Sequence, residues 1–297
     1  MQEQIDRFLA SKEDRTNTVA AYHNDLGQFY AYVRDRRREG TPTLWGDIST
    51  NDLIDYVLDL KQREYAVASI ARKIAAVKSF FHYLMDVQVI HSDPSALIDS
   101  PRVKKAAPQI MDQAIIDRLL AAPAQESHPK ALRDRALLEM LYATGMRVSE
   151  IAALNVADVN LDGGAVACDH HNRHPRAVHL NERAVNALAA YLENGRQRLA
   201  GGTEREEALF INHRGQRLTR QGLWLIVKSY ADQLGITDDV TPHILRHSSA
   251  THRLASGEAD VREIQHALGH ASRATTLIYA DLAARQAAEN DRKDGNE

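Results

Sequence analysis

A short stretch near the end of the chain, residues 241–247, decides how the whole sequence is interpreted: it reads TPHILRH. Threonine followed by proline is typical of a helix start, with the threonine as N-cap and the proline at the first helical position. His243 and Arg246 then lie one turn apart on the same helix face. A helix N-terminus that presents a histidine and an arginine together is suited to an anion.

Three further motifs stand around this stretch in the chain. TGMRVSE (144–150) lies upstream and contains Arg147, whereas LGH (268–270) and Tyr279 lie downstream. Two guanidinium groups can hold one phosphate through planar, bidentate hydrogen bonds. Histidines can move protons near neutral pH, and a tyrosine hydroxyl can attack phosphorus and leave a covalent ester. The motifs together therefore predict a site for phosphoryl transfer.

The order and spacing of these motifs resemble the tyrosine recombinase (phage integrase) family, most closely its XerC/XerD-like branch, over nearly the whole chain. The resemblance implies that Tyr279 is the nucleophile and that Glu150 supports the site without reacting. It implies site-specific DNA strand exchange through a 3′-phosphotyrosyl intermediate, with no cofactor and no metal. By the same resemblance, the scissile phosphate is held by Arg147, Arg246 and one of the two histidines, His243 or His270.

The match is incomplete where relatives carry a catalytic lysine, 24 residues after the first arginine. Counting from Arg147 leads to His171, within DHHNRHPR (169–176), and no lysine occurs between Lys130 and Lys228. An imidazolium can protonate a departing 5′-hydroxyl, since its ordinary pKa is about 6.5. We therefore predict His171 as the general acid. The alternative is a non-catalytic, DNA-binding relative that has lost strand cleavage.

Composition limits the class of protein. The chain has 297 residues, 44% hydrophobic and 26% charged, which is ordinary for a globular protein of two domains. The start of the chain lacks the features of a signal peptide, and no apolar run is long enough to span a membrane. Cys168 is the only cysteine, which fits a cytoplasmic location. A net charge of −3 does not itself indicate nucleic-acid binding, so any basic surface must be local.

Apolar periodicity predicts helices over 18–33, 49–60 and 67–85. The last of these helices has an apolar stripe on one side and a polar, basic side that includes Arg72, Lys73 and Lys78. We interpret the basic side either as a surface for a DNA duplex or as an ordinary solvated face. The pattern stops after Ile90, where a basic, proline-punctuated segment begins. We predict a helical core-binding (SAM-like) DNA-binding domain at 1–90, a linker at 91–107, a catalytic domain at 108–285 and a polar tail at 286–297.

The second half is predicted to be mostly helical, with a small hairpin or three-stranded sheet between Val159 and Leu180 and a further strand at 209–211. The expected fold class is therefore mainly α with a small β-sheet: a helical DNA-binding domain followed by an α+β catalytic domain. Cys168 and the histidines near His171 have ligand chemistry for zinc, but their spacing matches no common zinc site. His247 is interpreted as a packing or surface residue.

The resemblance also predicts partners. These are a double-stranded DNA target site and a tetramer on two duplexes, formed either by copies of this chain or together with a second related recombinase. Residues 281–297 are expected to dock on a neighbour in this tetramer. A type IB topoisomerase-like relaxing enzyme would use the same chemistry, although the motifs argue against it. The sequence leaves open whether the role is chromosome-dimer resolution or integration of a mobile element.

Overall fold

The computed structural model forms two compact units, Met1–Ala106 and Ala107–Glu297. Both are mainly helical, and the second adds a small antiparallel sheet, so the predicted fold class is confirmed. The residues that the structure describes are 1–12, 16–36, 44–101, 108–125, 128–168, 175–201, 206–236, 240–270 and 272–294.

The first unit is held together by an aromatic core. Trp45 packs edge-on against Phe80 with ring centroids 4.8 Å apart, and the ring centroids of Phe29 and Tyr56 are 4.9 Å apart. Ser49 caps the third helix, accepting a hydrogen bond from the Asp52 backbone N–H. The three helices predicted from periodicity are confirmed, and a short one precedes them. The helices are α1 (Gln2–Ala10), α2 (Thr16–Arg36), α3 (Thr50–Gln62) and α4 (Val67–Asp86).

The basic side predicted for α4 is not a free cationic surface. Lys73 is only 2% exposed, and its Nζ lies 3.0 Å from Oδ1 of the buried Asp25. Arg72 pairs with the same carboxylate, and Lys78 Nζ donates to the Ile98 carbonyl oxygen at 2.8 Å. A buried carboxylate requires charged, hydrogen-bonded partners. Lys73 therefore stabilises the domain, and the interpretation that it faces DNA is wrong.

The second unit surrounds α6, which is buried along most of its length and packs against α8 and α11. A π-helical segment, Tyr191–Arg196, joins α8 to α9. The α-helices of this unit are α5 (Gln113–Ala121), α6 (Pro129–Thr144), α7 (Val148–Ala153), α8 (Glu182–Ala190), α9 (Gln197–Ala200), α10 (Arg220–Gln233), α11 (Pro242–Ala255), α12 (Val261–Leu268) and α13 (Arg273–Asp294).

The predicted three-stranded sheet is present. Strands β1 (Val159–Asn160), β2 (Ala165–Cys168) and β3 (Arg176–His179) lie side by side in that order, and both pairs are antiparallel. The further strand predicted at 209–211 is wrong. Among the described residues, that segment makes one isolated bridge, between Ile211 and Arg217, and a single bridge does not form a ladder.

Candidate active site

Two helix ends and one helix start meet at the site. Helix α6 ends at Gly145 and α12 ends at Gly269, both in the left-handed conformation, with φ of +57° and +62°. A Cβ on Gly145 would lie 2.9 Å from Leu268 Cδ2, and one on Gly269 would lie 2.9 Å from Arg176 Nη1. Both positions therefore favour glycine for its positive φ, and a larger residue would also displace a neighbouring side chain. At these helix ends, backbone carbonyl groups accept hydrogen bonds from the arginines of the site.

Arg246 is the buried arginine of the site, at 5% exposure. It lies on α11, which begins as predicted with Thr241 as N-cap and proline in the first turn. Its Nη1 donates to the Gly145 carbonyl oxygen at 2.6 Å, and its Nη2 donates to the Leu268 carbonyl oxygen at 2.8 Å. Burial and the charge of Arg147 lower the pKa of Arg246 to about 10. The group therefore stays charged at neutral pH, in an environment that disfavours its charge.

Arg147 is the accessible arginine of the site. It precedes α7, and its side chain is 41% exposed. Nη1 donates to Glu150 Oε1 at 3.0 Å, while Nη2 lies 3.4 Å from the Gly269 carbonyl oxygen. Of the two arginines, this is the one that a phosphate reaches directly from solvent.

Glu150 connects Arg147 to a third arginine, Arg176, which the sequence did not single out. Arg176 Nη1 and Nη2 donate to the Glu150 carboxylate at 3.2 and 3.0 Å, and its Nε donates to the Ala267 carbonyl oxygen at 2.9 Å. The Glu150 and Arg176 side chains are 5% and 2% exposed. Arg176 is therefore a structural cation that holds Glu150 in place, and Glu150 in turn orients Arg147.

His270 follows Gly269 and has hydrogen-bonding contacts at both ring nitrogens. Nε2 lies 3.2 Å from Arg246 Nη2, and Nδ1 lies 3.0 Å from the Thr276 hydroxyl oxygen. Because a guanidinium can only donate, Nε2 must accept and the Nδ1 proton faces Thr276. Burial and then the charges of Arg246 and Arg147 lower the pKa of His270 to about 4. His270 is therefore neutral at pH 7.

Tyr279, on α13, is only 3% exposed and lies between two histidines. Its ring stacks on His270 with centroids 6.0 Å apart, and its hydroxyl oxygen is 2.7 Å from Nδ1 of His247. Burial raises the pKa of Tyr279, while the charges of Arg246 and Arg147 lower it. His247, which the sequence analysis interprets as a packing or surface residue, lies within hydrogen-bonding distance of the predicted nucleophile. A signal was available, because His243 and His247 are four residues apart and thus share a helix face.

The two remaining predicted site residues, His243 and His171, are not part of this buried cluster among the residues that the structure describes. His243 is exposed in the first turn of α11 and is close enough for its charge to lower the pKa of His247. His171 lies outside the described residues, in the connection between β2 and β3. The structure therefore brings together Arg147, Arg246, His270 and Tyr279, with His243 exposed on the same helix as Arg246.

The site combines cationic donors with neutral histidines beside a phenol. Such a set of groups suits a tetrahedral anion that a tyrosine hydroxyl can attack. Across the described ranges, no three histidine, cysteine or acidic side chains lie together as metal ligands. Within the same residues, no helix is both long enough and apolar enough to cross a membrane.

Known proteins resemble this chain over most of its length. Residues 109–286 match the phage integrase family, and residues 3–88 match the phage integrase N-terminal SAM-like domain. The chain is 45% identical to tyrosine recombinase XerC of Roseiflexus castenholzii, covering 95% of this chain and 90% of that protein. It is 40% identical to tyrosine recombinase XerD of Oceanobacillus iheyensis, covering 90% and 88%.

A solved structure shares the fold. The crystal structure of XerH site-specific recombinase bound to a palindromic difH substrate, in a post-cleavage complex, superposes with a TM-score of 0.73. The two sequences are 22% identical, over 92% of this chain and 78% of that one.

Proposed function

The chain belongs to the phage integrase family and is a tyrosine site-specific recombinase, and from that premise we propose that it cuts and rejoins double-stranded DNA through a 3′-phosphotyrosyl intermediate. One observation carries the proposal: the Tyr279 ring stacks on His270, which itself contacts the buried Arg246. A nucleophile, a cation and a neutral histidine thus occupy one cluster. Because this cluster retains these groups, nothing in it favours the non-catalytic alternative.

Arg147 and Arg246 are proposed to hold the scissile phosphate. Their charges face the oxygens on which negative charge develops as phosphorus is attacked, which is the largest common source of stabilisation in such reactions. His270, held between Arg246 and Thr276, and the exposed His243 are proposed as further contacts to phosphate oxygens. Both arginines also favour the phenolate form of Tyr279.

Tyr279 is proposed to attack phosphorus, so that the bond to the 5′-oxygen breaks and a tyrosyl ester remains. The 5′-hydroxyl of a partner strand then attacks this ester, and Tyr279 is released. The ester preserves the energy of the phosphodiester bond, so the exchange needs no ATP. His171 remains the proposed general acid that protonates the departing 5′-oxygen.

The domain assignment is also a proposal. We assign DNA binding to residues 1–90 and catalysis to 108–285, with a linker at 91–107 and a polar tail at 286–297. The two compact units and the two family matches support it. By analogy with the family, the working form is a tetramer on two duplexes, assembled from copies of this chain or together with a second recombinase. Because the substrate is DNA, we also propose a cytoplasmic location.

Covalent trapping tests the function. Tyr279→Phe retains the phosphate contacts of the site but has no nucleophile, so it can select the target from a randomised DNA library. A nicked duplex carrying that target should then trap the parent protein as an adduct, because the short cleaved fragment diffuses away. Tyr279→Phe should form none.

Tyr142→Phe is the matched control. Tyr142 is likewise a tyrosine whose hydroxyl lies 2.9 Å from Nδ1 of an α11 histidine, His252, and this variant should form the adduct. An adduct with Tyr279→Phe, seen on a denaturing gel, would show that another residue attacks.

A further inference from the structure

We propose that His247 accepts the proton of the Tyr279 hydroxyl as that hydroxyl attacks DNA. This inference rests on the proposed function, and it names a group that the recognised motifs leave unassigned: the proton acceptor for the nucleophile.

The geometry of the pair supports direct proton transfer. The Tyr279 hydroxyl oxygen and His247 Nδ1 are 2.7 Å apart, within reach of a general base. The rings are inclined by 36° with centroids 5.5 Å apart. Stacking of the tyrosine on His270 fixes the other side of the ring. The hydroxyl is therefore held against one nitrogen.

The charge state of His247 is the one that a base requires. Burial, and then the charges of His243 and Arg246, lower its pKa below the ordinary value of 6.5. At neutral pH the ring is therefore mainly the neutral imidazole, and with its single proton on Nε2 it offers the Nδ1 lone pair to the phenol. The groups that face this pair are His243 and Arg246 from α11 itself, Tyr279 from α13 and His270 from the turn after α12.

The other two histidines of the site are less suited to this task. The Nε2 lone pair of His270 already accepts from Arg246, and its Nδ1 faces Thr276. His243 is exposed, and the hydrogen-bond partner of the Tyr279 hydroxyl is His247. His270 and His243 are thus left as phosphate contacts.

The step balances without an external reactant. The phenolic oxygen forms a bond to phosphorus, the bond from phosphorus to the 5′-oxygen breaks, and the phenolic proton moves to Nδ1 of His247. A different group protonates the departing 5′-oxygen. In rejoining, a 5′-hydroxyl attacks the ester and gives its proton back to the group that protonated the departing 5′-oxygen. The bond from phosphorus to the Tyr279 oxygen breaks, and the imidazolium of His247 returns its proton to that oxygen.

Three variants separate proton transfer from positioning. His247→Asn places an amide near Nδ1 that can hydrogen-bond the hydroxyl but cannot take its proton, whereas His247→Ala removes both functions. His252→Asn is the matched control, since His252 is on the same helix and also contacts a tyrosine hydroxyl through Nδ1. Its burial likewise lowers its pKa. Target binding and thermal melting, measured first, confirm that each variant is folded.

The measurement is the single-turnover rate of adduct formation on a duplex with sulfur in place of the bridging 5′-oxygen. Sulfur leaves without a proton, so this substrate reports attack independently of the general acid. We expect His247→Asn and His247→Ala to be slower by about 10²- to 10⁴-fold, and His252→Asn to match the parent. The parent rate should fall as the pH drops through the lowered pKa of His247, which lies on the acid side of the ordinary imidazole value, because the base becomes protonated. Both His247 variants should lack this dependence, and added imidazole should accelerate His247→Ala.

Several results would overturn the inference. A His247→Asn rate equal to that of the parent would show that the hydrogen bond alone is needed. If a His247 variant lost activity on ordinary DNA but reacted at the parental rate with the sulfur substrate, His247 would instead act in protonating the leaving 5′-oxygen. These results leave the proposed function intact. A parent protein that forms no adduct at Tyr279 would remove both.

Discussion

Replacing Glu150 with glutamine tests whether one buried carboxylate organises the arginines of the site. The Glu150 carboxylate accepts from Arg176 at 3.0 and 3.2 Å, from Arg147 Nη1 at 3.0 Å and from the Arg147 backbone N–H at 2.8 Å. Glutamine has nearly the same shape but is neutral, and its amide N–H groups would face a guanidinium. The variant therefore leaves Arg176 buried without its counter-charge.

The expected loss of stability comes mainly from Arg176. Breaking a buried ion pair by removing one partner costs about 3–5 kcal/mol, and both side chains are at most 5% exposed. The contact to the partly exposed Arg147 adds little, because solvent screens it. Since glutamine keeps some hydrogen bonds, we expect the free energy of unfolding to fall by about 3 kcal/mol, at the lower end of that range. In a domain of about 150–250 residues this lowers the unfolding midpoint by roughly 6–12 °C.

Calorimetry can assign this effect to the second unit. The control is Asp232→Asn, which removes an exposed pair with Lys228 on α10, with 3.5 Å between Nζ and Oδ1. Such pairs contribute about 0.3–0.5 kcal/mol, so the control midpoint should hardly move. Adduct formation by Glu150→Gln should also slow at temperatures where the variant is folded, because Arg147 has lost its anchor. If the unfolding midpoint of Glu150→Gln shifted from that of the parent by no more than the midpoint of Asp232→Asn does, this account would be refuted.

Further predictions concern the chemistry. Arg246→Lys should slow adduct formation by about 10²-fold or more, since a point charge cannot reproduce the donors that a guanidinium sends to two carbonyl groups and a histidine; a single-turnover rate near that of the parent would contradict this. EDTA should leave strand cleavage and joining unchanged, because the described groups of the site are guanidinium and imidazole groups rather than a carboxylate cluster; loss of activity that magnesium restores would show a metal requirement. His171→Ala should cleave ordinary DNA slowly and regain speed with a sulfur leaving group, whereas His171→Lys should stay active to higher pH. Parental cleavage of ordinary DNA by His171→Ala would mean that His171 is not the acid.

The helices of the first unit were predictable because their signals are local. An apolar stripe at helical spacing and a capping serine depend on residues within one or two turns. The environment of Lys73 was harder to predict, because its partner Asp25 is 48 positions away in sequence. A local sign existed nonetheless. Lys73 is three residues after Ile70 and four before Val77, both buried, which places it on the apolar face.

The site was predictable to the extent that its residues belong to spaced motifs. Arg147, Arg246, His270 and Tyr279 were named from the sequence, and the structure brings them together. Arg176 was not, because nothing near it in sequence marks it, and its role arises from contact with Glu150, 26 residues away. The resemblance also drew attention to His243 and away from His247, although the two share a helix face.

The charge of the site explains why the net charge of the chain, −3, says nothing about DNA. Arg147, Arg176 and Arg246 bring three positive charges to a cluster in which Glu150 supplies a negative one. His270 adds no charge, since its pKa is about 4.

Arg246 remains protonated well above neutral pH, since its pKa is about 10. Its lowered pKa records the cost of holding its charge near Arg147 in a buried place, and a phosphate anion would relieve that cost. The contribution of Arg246 to phosphate binding should therefore vary little between about pH 6 and 9, because its pKa of about 10 keeps it protonated there. Any pH dependence of cleavage in that range then reports the groups that move protons.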